Sequence, residues 1–216
     1  NQYFPTLNIN SDGFRGEEIQ DNPDYRIFVV GGSTAFGGGS TSDNTTIPAY
    51  LNEFASRDFD KYNIEIINAG IPGAYSYTEK KIVVDKLLTY DPDLLIIYDG
   101  WNDLQHSYET YEEGVEESKD AAYSIIRLLR QTDYVTTHVL MKWWFDFRHD
   151  SIDILEFNPD KMKEKASLWK DQWIDICKIQ KEYDYKTMIV LQPIVGSGNK
   201  ILTSEEQYYL YHYDGK

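Results

Sequence analysis

Three short stretches of this chain set a reactive or hydrogen-bonding side chain among glycines. The first is Gly31-Gly32-Ser33-Thr34-Ala35-Phe36-Gly37. A serine directly after a glycine pair can sit in a tight turn with its hydroxyl exposed, and the glycines let a substrate approach the backbone closely. The second is Asn68-Ala69-Gly70-Ile71-Pro72-Gly73, and the third is Gly100-Trp101-Asn102-Asp103. An asparagine in such a place has two uses. It can cap the next helix, or it can donate its amide N–H to a developing oxyanion.

Other glycine-rich loops fit the first stretch less well. A phosphate loop needs Gly-x-x-x-x-Gly-Lys-Ser/Thr, and no lysine follows Gly37. A dinucleotide turn needs Gly-x-Gly-x-x-Gly, which is absent here. The nucleophile elbow Gly-x-Ser-x-Gly fails because Ala35 stands where its last glycine belongs.

The elements that must hold these stretches are readable from periodicity. Tyr25 to Val30 is a β-branched and aromatic run closed by glycines, which predicts a buried strand of parallel type. Ile64 to Ile67 predicts a second short strand, Leu94 to Tyr98 a third, buried one and Lys186 to Leu191 a fourth, with 68–73 a loop. Between them lie helical patterns over Thr45 to Arg57 (Ile47, Tyr50, Leu51 and Phe54 on one face), Thr78 to Tyr90 (Ile82, Val83, Leu87), Glu109 to Arg130 and Lys161 to Tyr183. Residues 133–158, rich in tryptophan and phenylalanine, predict a short helix plus a loop. Thr203-x-x-Glu206 is a capping box opening a helix to about Tyr211. Alternating strands and helices predict an open, mostly parallel α/β sheet with helices on both faces. In such sheets ligands lie beyond the carboxyl ends of the strands. The loops at 31–43, 68–77, 99–108 and 192–200 should therefore share one edge. Residues 1–24 read as an N-terminal arm and 25–216 as a single domain.

In order and spacing, the three stretches resemble the first three sequence blocks of the SGNH (GDSL-like) hydrolases. The resemblance covers residues 25–104 well and the strand at 186–193 more loosely. It implies a three-layer α/β/α, flavodoxin-like fold and a serine esterase or acyltransferase that needs no cofactor. By position, Ser33 matches the nucleophile, Gly73 the oxyanion-hole glycine and Asn102 the oxyanion-hole asparagine, with the Ser33 backbone N–H as third donor. The family's usual Gly-Asp-Ser stands here as Gly-Gly-Ser.

The family's last block, Asp-x-x-His, supplies the general base and the group that orients it. Its expected place, after the last strand, is not reached before Lys216, which leaves the base to sequence beyond that residue. Two Asp-x-x-His matches occur elsewhere. Asp103-x-x-His106 follows Asn102 directly and makes His106 a candidate base, whereas Asp146-x-x-His149 lies in the aromatic segment. His138 and His212 have no aspartate three residues before them.

The totals narrow the function further. The 216 residues suit one domain with a sizeable core. A net charge of −15 repels phosphate backbones and argues against nucleic acid as partner. The scattered histidines and the lone Cys177 offer no metal-ligand spacing, and Glu112-Glu113 with Glu116-Glu117 reads as a solvated helix face. No apolar run is long enough to span a membrane, so any anchor would lie outside these residues. Asn44-Thr45-Thr46 is an N-glycosylation sequon, which points toward an extracytoplasmic or cell-surface setting. The expected substrate is a small-molecule or glycan O-acyl ester, on carbohydrate or lipid. The alternative is a non-catalytic binding or scaffold subunit at a cell surface, for which Trp143 to Phe147 could dock a partner.

Overall fold

The computed structural model describes residues 7–105, 159–194 and 199–213. Its centre is a sheet of four parallel strands: β1 (Tyr25–Gly31), β2 (Ile64–Gly70), β3 (Leu94–Asp99) and β4 (Lys186–Leu191). The order across the sheet is β2-β1-β3-β4. Because all four run the same way, their carboxyl ends lie along one edge. The chain is therefore an α/β protein with a parallel sheet flanked by helices.

Register explains the core. Phe28 pairs with Ile67 on one side and Leu95 on the other, and Val30 pairs with Ala69 and Ile97. In-register residues share a face, so these six make one apolar layer. Val83, Leu87, Leu88, Trp173 and Ile176 pack on it. They come from α3 (Ser76–Asp85), the 3-10 turn Leu87–Tyr90 and α5 (Pro159–Ile179). The short α1 (Ser33–Phe36) and α2 (Ile47–Asp58) pack on β2. The remaining helices are α4 (Trp101–Gln105) and α6 (Ser204–Tyr213). Thr203 and Glu206 form the expected capping box, each accepting the other's backbone N–H at 3.2 and 3.0 Å.

Residues 7–24 contribute directly to this core. Phe14 is buried against Phe28 and Tyr90, with ring centroids 5.5 and 5.8 Å away. Arg15 forms an isolated bridge to Asn68 of β2.

Four expectations change. The helix predicted over Thr78 to Tyr90 starts at Ser76 and breaks at Lys86, whose φ of −132° leaves the helical region. The tighter 3-10 turn that follows buries two consecutive leucines, Leu87 and Leu88, and Lys86 Nζ sits over the Phe14 ring at 4.4 Å. On α2, Tyr50 and Phe54 are exposed rather than part of a buried stripe. Phe54 instead lies under the Arg57 guanidinium at 4.9 Å. The long helix predicted to Tyr183 ends at Ile179, and the chain then turns through Asp184 in the left-handed region (φ 54°). Finally, Asn68 belongs to β2 and not to the loop after it. The predictions over 109–130 and 133–158 lie outside the described residues.

Candidate active site

β1 delivers Ser33 to the carboxyl edge. The strand ends at Gly31, Gly32 turns the chain, and Ser33 opens the single turn of α1 with its side chain exposed. The first N–H groups of a helix have no partner within it, so this turn directs donors toward the space around Ser33. Gly37 closes α1 in the left-handed region at φ 93°, its N–H donating to the Ser33 and Thr34 carbonyls.

Buried polar side chains hold that turn from below. Arg15 Nη1 donates to the Phe36 and Gly37 carbonyls at 3.1 and 2.9 Å, and its Nε pairs with Asp43 at 2.8 Å. Asn68, also buried, donates to the Phe36 carbonyl at 3.1 Å and accepts from the Gly70 N–H at 3.1 Å. From the residue just after β4, Gln192 Nε2 donates to Thr34 Oγ1 at 2.9 Å.

The loops after β2 and β3 meet over Gly32. The Asn102 side-chain amide donates to the Ala74 carbonyl at 2.5 Å. A β-carbon on Gly32 would collide with that same Asn102 nitrogen and press the Ala74 carbonyl at 3.3 Å. Ser33, Gly73 and Asn102 therefore each belong to this three-loop contact or stand one residue from it. Gly73 has a φ of 81°, and a β-carbon there would meet nothing within 4 Å. Its backbone thus adopts a conformation that favours glycine, beside open space. An amide NH₂ carries two hydrogens; one of Asn102's engages Ala74, leaving the other available to a ligand.

Three buried carboxyls lie behind these loops: Glu79, Asp99 and Asp103. Asp103 accepts the Ser76 backbone N–H at 3.1 Å and the Ser76 hydroxyl. Asp99 accepts the Trp169 indole N–H at 3.1 Å. Burial first, and then the charge of Asp103, pushes the Asp99 carboxyl up to about 7, although the Gly100 N–H and the Trp169 indole favour its charged form. Both Glu79 oxygens are buried without a hydrogen-bond partner among the described residues. Burial, followed by the charges of Asp99 and Asp103, holds Glu79 well above its ordinary 4.5. Burial and neighbouring negative charge both disfavour the ionised form, so Glu79 and Asp99 hold their protons more tightly than free carboxyls do. No group of histidine, cysteine, aspartate and glutamate able to hold a metal occurs among the described residues.

The chain matches the GDSL-like Lipase/Acylhydrolase family over residues 27–142. It belongs to that family. No curated protein matches it. Among solved structures, a two-domain esterase active on acetylated mannans is 30% identical over 41% of this chain and 25% of its own, with a TM-score of 0.37. The match thus spans a quarter of that esterase. A Parabacteroides merdae protein classed as a GDSL-like lipase is 16% identical over 91% of this chain and 72% of its own, with a TM-score of 0.45. An acetyl xylan esterase from Geobacillus stearothermophilus is 13% identical over 76% of this chain and 75% of its own, with a TM-score of 0.36.

Within this GDSL-like chain, the structure places Ser33, Gly73 and Asn102 on one edge, at the ends of three adjacent strands. The candidate base His106 lies outside the described residues, as do His138 and His149. Sequence reading missed Arg15, Gln192, Glu79 and Asp99, and named Asp103 only as the partner of His106. Asp103 had a signal, since it directly follows Asn102. Arg15 and Gln192 had none, because their partners are 28 and 158 positions away in the chain.

Proposed function

We propose that this chain carries the nucleophile and oxyanion hole of a serine ester hydrolase, with an O-acylated carbohydrate as substrate. One observation carries the reading: the Asn102 amide, bonded to the Ala74 carbonyl, sits against Gly32 and so brings the three loops together. Ser33 Oγ attacks the ester carbonyl while a general base takes its proton. The tetrahedral oxyanion accepts from the backbone N–H groups of Ser33 and Gly73 and from the Asn102 amide. Collapse expels the sugar alcohol, which takes up the proton. Water then releases the acid from the acyl-enzyme.

Exposed aromatics beside the loops support a sugar acceptor. Trp101, next to Asn102, is 40% exposed, and Tyr77 is 39% exposed and stacked with Tyr75 at 6.3 Å. Flat rings of this kind match the apolar faces of a pyranose.

The test is to treat the full-length protein with a fluorophosphonate probe. Wild type should label and Ser33→Ala should not. Equal labelling of the two removes Ser33 as nucleophile. No labelling, together with retained glycan binding, would favour the binding-subunit alternative.

A further inference from the structure

Asn102 and Asp103 are consecutive on α4, and each bonds the loop that leads into α3. Asn102 holds the Ala74 carbonyl at 2.5 Å. Two residues on, Ser76 donates its backbone N–H to both Asp103 carboxylate oxygens, at 3.3 and 3.1 Å, and its hydroxyl to Oδ1. Ser76 and Asp103 are both buried. Ser76 is the first residue of α3, at whose start the Tyr75 backbone N–H also donates to Thr78 Oγ1 at 3.0 Å. Asp103 therefore caps α3 from another helix, with a carboxylate placed at the positive end of the helix dipole.

α5 also bonds α4 and the strand end before it. Trp169 and Lys165, one turn apart on α5, bond the Asp99 carboxylate and the Leu104 carbonyl. The Asn102 segment is thereby gripped between α5 and the loop that carries Gly73.

We infer that Ser76 and Asp103 form a positioning clamp that fixes the Gly73 N–H against the Asn102 amide, so that the oxyanion hole is set before substrate arrives. The inference rests on the esterase reading above. Donors already aimed at the developing charge need no rearrangement during reaction, and that is where their catalytic value lies. A carboxylate suits the role because it only accepts, and so it can satisfy the N–H and the O–H of one serine together. An amide at position 103 would turn a donor toward one of them.

The test compares full-length wild type, Ser33→Ala, Asp103→Asn, Ser76→Ala and the Ser76→Ala/Asp103→Asn double variant on p-nitrophenyl acetate. In Asp103→Asn, kcat should fall about tenfold or more while KM stays within about twofold, the split expected when a transition-state contact is lost. Ser76→Ala, the milder change, should lower kcat about threefold, and the double variant should be no worse than Asp103→Asn alone, since the pair acts as one unit. Inactive wild type, or undiminished turnover by Ser33→Ala, overturns the esterase reading and the clamp with it. Ser33-dependent turnover with kcat unchanged in Asp103→Asn and Ser76→Ala, with only KM altered, or with additive losses in the double variant, overturns the clamp alone.

Discussion

The Asn102 amide nitrogen occupies the space that a side chain on Gly32 would need. The residue before the candidate nucleophile and the candidate oxyanion donor are thus packed against one another, and Gly32 cannot gain a side chain without moving Asn102. Gly32→Ala should push the Asn102 amide off the Ala74 carbonyl and lower kcat about tenfold, since small misplacements of a catalytic group are costly. The fold should survive, because the obstructing atom is the end of a side chain. Ester turnover and thermal melting, measured together, check this. A variant with wild-type kcat would show that Asn102 has no fixed place.

Asn102→Ala removes the proposed side-chain donor outright. Loss of one oxyanion donor costs about 10²–10³ in kcat, and that is the expected fall in Ser33-dependent turnover. A loss under about threefold would take Asn102 out of the oxyanion hole.

Glu79 and Asp99 predict an unusual pH dependence of stability. Both carboxyls are raised in the folded state, Asp99 to about 7 and Glu79 well above 4.5. In the unfolded chain they ionise near about 4. Between those values the unfolded state gives up protons that the folded state retains, so stability falls as pH rises. Their contribution is complete below about pH 4 and is lost as pH climbs through the folded values. Glu79→Gln removes one of the two linkages. The melting temperature of the variant relative to wild type should therefore climb steadily from pH 5 to pH 8. A difference that is flat or falls with pH would mean that Glu79 is not held protonated.

Arg15 carries a different load. Its side chain is only 4% exposed, and it serves Asp43 and two carbonyls at the end of the Ser33 turn. Arg15→Met takes the donor from Asp43 Oδ1 and the Gly37 carbonyl, while the Phe36 carbonyl keeps the Asn68 amide. The cost should be about 3 kcal/mol, the low end for breaking a buried pair, because Asp43 keeps contact with water. For a domain of this size that is a fall of roughly 6–12 °C in Tm. Adding Asp43→Asn should recover part of the loss. Additive losses in that double variant would show the two groups to be uncoupled.

The local order of this chain is written in its sequence. Short apolar runs marked all four strands, with β4 placed to the residue, because such a run is a local pattern; that β4 would lie largely exposed, Leu191 at 69%, was not in it. The three stretches around Ser33, Gly73 and Asn102 were legible for the same reason: each is a local turn whose backbone demands glycine nearby. Boundaries were less legible where a distant partner decides them. Asn68 reads as loop from its type, yet it extends β2 because its backbone pairs in register with Val29 of β1, while its side chain bonds the Phe36 carbonyl. The helix after Gly73 breaks at Lys86, whose ammonium lies over Phe14. Only the tertiary structure could show that Asn102 lies against Gly32, that Asp103 grips Ser76, and that Arg15 and Gln192 reach the Ser33 turn. Those contacts join residues 21 to 158 positions apart, and a one-dimensional pattern records spacing along the chain, not which loops a parallel sheet gathers at its edge.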